Sequence, residues 1–466
     1  MVPRVGSPSD VVVLGDLGST YTKLVAVDGC GDLLGQSLAP TSRHELDSGF
    51  AAALEQLADD VPGVSARRVI LSSSAAGGLR LAIVGLEPSL TVRFGRMAAA
   101  TAGGRIVGAF GLSEFETVDS EAWDDLAPDV VVLTGGTDGG EAGALPRAAA
   151  ALRALGGRCP VVVAGNQDAY ATTQHVLDGS RPVRYVANVM PRIGVLALDE
   201  VRSAIRDVFI EHVMGHGRFA SASSLVGRVA MPTPDAVLSA AEQLASLGAS
   251  EPLFGNPVVV DVGGATTDIH SVLPRARALA SGAGFGAGPR RTVEADLGMR
   301  ESAEGVGAAA VDAGWVRDLD EAVTDALRTR TVDRGFVPGT PAERAVDGWL
   351  AETATGLGLS RHAGVLQVEA GVGGIRVVPT GRDLRRVSVV VATGGVFRHV
   401  DDAESVVSGA LEEATGKGAL VPTPSTPVLV DRSYVLWAAG LLGTSRPDAA
   451  RLLLKQQLVA PSRGVA

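Results

Sequence analysis

The sequence predicts a two-lobed α/β protein, with two related β-sheet halves around a shared cleft. Two observations carry this expectation. The pattern of residues 11–29, VVVLGDLGSTYTKLVAVDG, recurs at 258–272 as VVVDVGGATTDIHSV: apolar run, aspartate, glycine, hydroxyls, apolar return. A later run, VVVLTGG ending at Gly136, is echoed by VVVATGG ending at Gly395. The period is roughly 250 residues, too long for a solenoid and suited to two facing lobes.

The elements follow in chain order. Residues 11–16 and 23–28 run apolar and β-branched, so they read as strands joined by a tight turn. Asp28-Gly29 and Gly31-Asp32 mark a second turn, with a third strand at 33–39. ELDSGFAAALEQLAD has helical periodicity, RRVILSSSAAGG is a short strand, and VRFGRMAAATAGG reads as a helix. The acidic run DSEAWDDLAPD, residues 119–129, reads as a solvated linker. DVVVLTGG and PVVVAGNQDA are buried strands, each followed by a helix. PTPDAVLSAAEQLASLG is a helix with Thr233 or Asp235 as its cap. The final 28-residue stretch, from DRSYVLW to LLLKQQL, reads as two helices. These elements divide into a first lobe at 1–250, with an extra α/β segment at about 129–215, and a second at 251–466, with an insertion at about 274–385.

A chain of 466 residues exceeds one ordinary core. The net charge of -11 argues against a nucleic-acid partner, which needs a basic face for phosphates. Cys30 and Cys159 have no metal-site spacing and fit a reducing compartment. With no signal-peptide pattern and no run long enough to span a bilayer, the expected location is cytoplasmic, with no membrane partner. Lys23, Lys417 and Lys455 are the only lysines, so a lysine inside a repeated motif stands out.

A strand that turns back at Gly-Ser-Thr presents backbone N–H groups at its tip, and glycine lets an anion come close. Two such tips, one per lobe, can grip a polyphosphate. Asp16 and Asp261, at the strand ends, suit a divalent cation held through water, or the orientation of an attacking water. Lys23 suits a point charge toward phosphate. Gly394 and Gly395 would let a base and sugar lie against a strand-to-helix turn. Other nucleotide patterns fit worse. The nearest P-loop match, GALEEATGKGA, has the wrong spacing, and no G-x-G-x-x-G follows a strand.

These motifs resemble those of the actin-like ATPase superfamily, which has a ribonuclease H-like fold. More narrowly, the chain is similar to the glutamate mutase accessory family MutL (GlmL), unrelated to the mismatch-repair protein of that name. GDLGSTYTK and VVDVGGATTDIHSV carry the broad likeness. LTGGTDGG, VAGNQDA, ANVMPRIG, TVEADLGMR and VATGGVF carry the narrow one. The resemblance implies ATP and Mg as ligands. It implies a first phosphate loop of Asp16, Gly18, Ser19, Thr20, Thr22 and Lys23. The second would contain Asp261, Gly263, Gly264, Thr266, Thr267 and Asp268. Gly394 and Gly395 would line adenosine, and Glu294 would be a catalytic polar residue near the cleft. The implied role is protection or reactivation of an adenosylcobalamin-dependent glutamate (methylaspartate) mutase. The absence of D-x-H-x-x-G means the chain would act on that enzyme without holding its cobalamin.

Three alternatives share the scaffold: a small-molecule kinase, an iron–sulfur dehydratase activator, and a scaffold that binds nucleotide without hydrolysis. The placement of Cys30 and Cys159 in separate parts of the chain weighs against the second.

Overall fold

The computed structural model describes residues 11–18, 21–41, 46–64, 69–73, 79–87, 91–92, 95, 104–193, 195, 197–208, 211, 229–273, 288–294, 296–371 and 374–459. The chain begins with β1 (Val12–Leu17), β2 (Tyr21–Val27), β3 (Leu33–Pro40) and, after helix Leu46–Asp60, β4 (Val69–Ser73). It then leaves this sheet to build β5 (Leu79–Gly85), β6 (Gly104–Gly111), β7 (Val130–Leu133), β8 (Val161–Val163) and β9 (Val183–Tyr185). It returns as β10 (Val229–Pro232), next to helix Thr233–Leu247. The second half supplies β11 (Pro257–Val262), β12 (Thr267–Leu273), β13 (Gly288–Glu294), the hairpin β14 (Val365–Gly371) and β15 (Gly374–Thr380), then β16 (Val389–Thr393) and β17 (Val428–Val430).

The duplication lies in the topology. The first sheet is ordered β3-β2-β1-β4-β10 and the second β13-β12-β11-β16-β17. In each, the first three strands are antiparallel and the last two run parallel to the first-formed strand. The third sheet, β6-β5-β7-β8-β9, is parallel throughout. Its central strands are apolar on both faces because both faces are covered. Val130 to Leu133 are all buried.

One element of the sequence echo does not survive. The strand leading to Gly136 lies in the parallel sheet, so it is not the partner of β16. That place in the first sheet belongs to β4, whose Ser72 and Ser73 carry no glycine signal. The acidic run is also not a linker. It forms helix Ser120–Leu126, capped by Asp119, and buries Trp123 against Phe115. The helix expected at VRFGRMAAATAGG falls almost wholly outside the described residues.

Strand alternation divides the core. Val13, Leu24 and Ala26 face helix Leu46–Asp60, while Val12, Leu14, Val25 and Val27 face the other way. That inner face is shared: Val259, Val389 and Val391 of the second sheet join the same cluster. Between the sheets lie helix Thr233–Leu247 and helices Leu436–Gly443 and Pro447–Val459. Helices Thr233–Leu247 and Leu436–Gly443 cross at Gly440, where a Cβ would collide with the Ala236 carbonyl. Among the described residues, no helix is long and apolar enough to cross a membrane.

Replacing Gly440 with valine forces these helices apart and should lower stability by at least about 1–3 kcal/mol. Gly416, at the end of helix Ala403–Gly416, has open space around it. Gly416→Ala should be neutral or stabilising by less than about 1 kcal/mol. Denaturant unfolding of the two variants checks both.

Candidate functional site

The two hairpins place equivalent residues in equivalent register. Asp16 faces Lys23 across β1 and β2, and Asp261 faces Asp268 across β11 and β12. Each tip is closed by the same bond: Gly18 N–H to the Tyr21 carbonyl at 3.1 Å, and Gly263 N–H to the Thr266 carbonyl at 2.9 Å. Ser19 and Thr20 lie outside the described residues.

Asp16 is 1% exposed, and both its oxygens are engaged. Lys23 Nζ donates to Oδ2 at 2.9 Å, and the Thr233 hydroxyl donates to Oδ1. The Thr233 and Ser72 hydroxyls stand 3.2 Å apart. Thr233 is therefore not a helix cap. Pro232 occupies the cap position without a side-chain bond, and the Thr233 hydroxyl is spent on Asp16 instead. Lys23 also donates to the Tyr434 hydroxyl at 3.2 Å. Burial opposes the lysine's charge, but Asp16 and Tyr434 more than offset it and hold its pKa above the ordinary value. Burial pushes Tyr434 itself up to about 12.

Tyr434 sits in the left-handed backbone region at φ 52°. Such a conformation in a non-glycine residue costs about 1–3 kcal/mol and needs a surrounding clamp. Buried Asp431 provides one. It accepts the N–H groups of Val435 and Leu436 at 2.9 and 3.1 Å and the Thr393 hydroxyl at 2.9 Å.

Asp261 contrasts with Asp16. It is half-buried, and no hydrogen bond or ion pair holds its carboxyl among the described residues. Burial pushes it up to about 7. Asp268, Asp16 and Asp431 add to the push, and Lys23 opposes it. The two strand ends are thus close enough to act on each other through space. Asp268 is engaged with Arg291, at 2.9 and 2.6 Å, and with Thr266.

The segment TVEADLGMR straps the second tip. Met299 and Arg300 donate their N–H groups to the carbonyls of Gly263 and Gly264 at 3.0 and 2.8 Å. Thr267 Oγ1 donates to the Leu297 carbonyl at 2.6 Å, and Ser302 holds the Ala265 carbonyl at 2.8 Å. No bond among the described residues takes the N–H of Gly264 or Ala265, which leaves two donors at the tip for an anion. Thr22 is fully buried, with its hydroxyl 2.9 Å from that of Thr41, on the opposite face of β2 from Lys23. Glu294 pairs with Arg361 at 2.9 Å, and Arg361 also holds Asp296. Burial raises the Glu294 pKa and Arg361 opposes the rise. Gly394 adopts φ 111°, where a side chain would strike the Val262 carbonyl, and Gly395 opens helix Gly395–His399.

The three remaining motifs meet elsewhere, at the carboxyl edge of the parallel sheet. Buried Asn166 donates to the carbonyls of Gly140 and Glu141, and buried Asn188 to the Gly136 carbonyl and to Asp138. Asp138 N–H donates to the Pro191 carbonyl at 3.1 Å. LTGGTDGG, VAGNQDA and ANVMPRIG thus form one welded loop cluster.

Sequence reasoning missed Thr233 as a partner of Asp16, and it missed Ser72, Tyr434 and Asp431. Thr233 and Tyr434 lie 217 and 411 residues from the groups they touch.

The arrangement defines an α/β protein with two duplicated sheets, each carrying a carboxylate at the end of its first strand. By sequence the chain belongs to the MutL protein family, whose model matches residues 12–458. Protein MutL of Clostridium tetanomorphum is 33% identical over 473 residues, covering 97% of this chain and 99% of that one. Component A of the Acidaminococcus fermentans (R)-2-hydroxyglutaryl-CoA dehydratase aligns at a TM-score of 0.29 and 11% identity, over 94% of this chain and 99% of that one. The activator of 2-hydroxyisocaproyl-CoA dehydratase from Clostridium difficile, with bound ADPNP, aligns at 0.31 and 10%, over 98% and 99%. A ROK family glucokinase from Streptomyces griseus, in complex with glucose and AMPPNP, aligns at 0.31 and 12%, over 95% and 98%. All three structural likenesses are distant.

Two expectations follow. Lys23→Met strips the partner from a buried carboxylate and should cost roughly 3–5 kcal/mol, with Asp16→Asn in the same chain recovering part of the loss. For Asp261, the folded-state pKa is raised, so its contribution to stability is present below about pH 4, where unfolded aspartate protonates. It is lost as pH rises toward about 7. The ligand-free melting temperature of Asp261→Asn should therefore gain on wild type across that window and run parallel above it.

Proposed function

We propose that the chain binds Mg-ATP between its lobes, residues 1–250 and 251–466, and hydrolyses it to drive work on a protein partner. That partner is an adenosylcobalamin-dependent glutamate (methylaspartate) mutase, which the chain protects or reactivates. What supports the reading is the equivalent register of the two hairpins, together with the influence of Asp16 and Lys23 on the Asp261 proton. Membership of the MutL family supports the mutase connection.

The residues fit Mg. Among the described residues no cluster of three ligating side chains exists. Mg keeps most of its waters and takes one or two carboxylates plus phosphate, which the strand-end Asp261 can supply in part. Asp261, unpartnered, would hold it through water. The cation would offset phosphate charge and draw the Asp261 pKa back down. Asp16 is already neutralised by Lys23, so its part is to fix the lysine's position toward the phosphates. The N–H groups of Gly264 and Ala265 would take phosphate oxygens. Through the same waters Asp261 would orient the attacking one. Phosphoryl transfer asks mainly for such positioning and charge stabilisation. Glu294, held by Arg361, would orient the strap at the cleft edge.

Asp261→Ala should lower the ATPase rate by about 100-fold or more while ATP affinity changes far less. Normal hydrolysis in that variant removes the carboxylate from the mechanism. The mutase connection is tested by adding the chain, with and without ATP, to inactivated mutase. Recovery only with both present is expected. No co-purification and no recovery would reject the partner.

A further inference from the structure

The inserted segment, about 274–385, carries a largely buried ion cluster that is joined to the second hairpin tip. One carboxylate serves two arginines. Asp347, on helix Pro341–His362, accepts Arg330 Nε at 2.6 Å on Oδ1 and Arg300 Nη2 at 2.9 Å on Oδ2. Arg330, on helix Glu321–Val332, is 1% exposed and gives its other nitrogens to the carbonyls of Ala326 and Glu343. Arg300 donates to the Phe336 carbonyl at 3.1 Å and to the Met299 carbonyl at 2.7 Å. The Phe336 ring lies against both guanidiniums, 4.7 Å from that of Arg330 and 5.9 Å from that of Arg300.

Arg300 is also the last link of the strap. Its own N–H holds the Gly264 carbonyl at 2.8 Å, and its stem lies along Gly264, 3.9 Å from where a Cβ would stand. A peptide unit is planar and trans, so the carbonyl of one residue and the N–H of the next point in opposite directions. The Gly264 carbonyl shares its plane with the Ala265 N–H, and the Gly263 carbonyl shares its plane with the Gly264 N–H. Arg300 and Met299 grip those two carbonyls, and in doing so they aim the two donors that no bond among the described residues takes. Without that grip, glycine backbone at 263 and 264 is free to turn.

We propose that Arg300 and Asp347 are positioning residues for the polyphosphate, and that the inserted segment serves to hold the second tip in its donating geometry. The inference rests on the nucleotide reading above. All three guanidinium nitrogens of Arg300 are spent on Phe336, Met299 and Asp347, so the side chain acts through the strap and not on phosphate. The planar fork reaches three acceptors in different directions, which the single nitrogen of a lysine does not.

The test is titration of the full chain, with Mg present, with a non-hydrolysable ATP analogue and with adenosine, which has no phosphates. Arg300→Met keeps the stem and leaves Asp347 paired with Arg330. Its affinity for the analogue should fall at least about tenfold while its affinity for adenosine holds, and Arg300→Lys should recover only part of the loss. Arg334→Met breaks only the exposed pair with Glu301 and should change neither affinity. In the nucleotide-free chains, hydrogen exchange at the Met299 and Arg300 amides should quicken in Arg300→Met and stay slow in Arg334→Met. An equal loss for analogue and adenosine makes the role merely structural and overturns the proposal. So does an unchanged affinity for the analogue, or full recovery with lysine, and each of these outcomes spares the nucleotide reading. A wild-type chain that binds neither ligand ends that reading and this inference with it.

Discussion

The structure turns on one buried ion pair. Asp16 sits at the end of a strand with almost no water, a place where an unpaired carboxylate is strongly disfavoured. Four groups share the task of making it tolerable. Lys23 supplies charge, Thr233 supplies a hydroxyl, Ser72 backs the threonine, and Tyr434 orients the lysine. Those residues come from β2, from the helix between the sheets, from β4 and from the loop after β17. Satisfying one carboxylate therefore ties the first sheet to the far end of the chain.

The second hairpin repeats the backbone and changes the chemistry. Where the first has lysine opposite its aspartate, the second has Asp268, which Arg291 claims. Asp261 is left with no donor of its own, and burial first, then the like charges around it, hold its proton more tightly against the pull of Lys23. Duplicated geometry with unlike occupants leaves one strand-end carboxylate satisfied and the other without a donor among the described residues. That division of labour is what the proposed hydrolysis rests on.

Much of this was legible in the sequence because hairpins are local. The spacing of seven between Asp16 and Lys23, and between Asp261 and Asp268, can be read along the chain and fixes which residues face each other. The bracing groups were not legible. Thr233 looks like a helix cap, since threonine before a helical run usually is one. Only the arrival of β10 beside β4 turns its hydroxyl toward Asp16. Tyr434 stands in an ordinary apolar stretch, and its left-handed backbone has no sequence signal. The Gly-Gly echo at Gly136 misled because two parallel strands ending in glycine look alike, whichever sheet they join. The acidic run misled because charge on one face of a short helix hid the Trp123 anchor on the other.

At Gly440 one helix comes down onto the Ala236 carbonyl with no room for a Cβ, and Ser239 beside it donates to the Gly440 carbonyl. Around that point Val237 and Leu244 of one helix and Leu441 and Leu442 of the other pack into the same core. A junction this dense has no slack to absorb a displacement. Movement of either strand end is therefore handed on through the helix pair as strain.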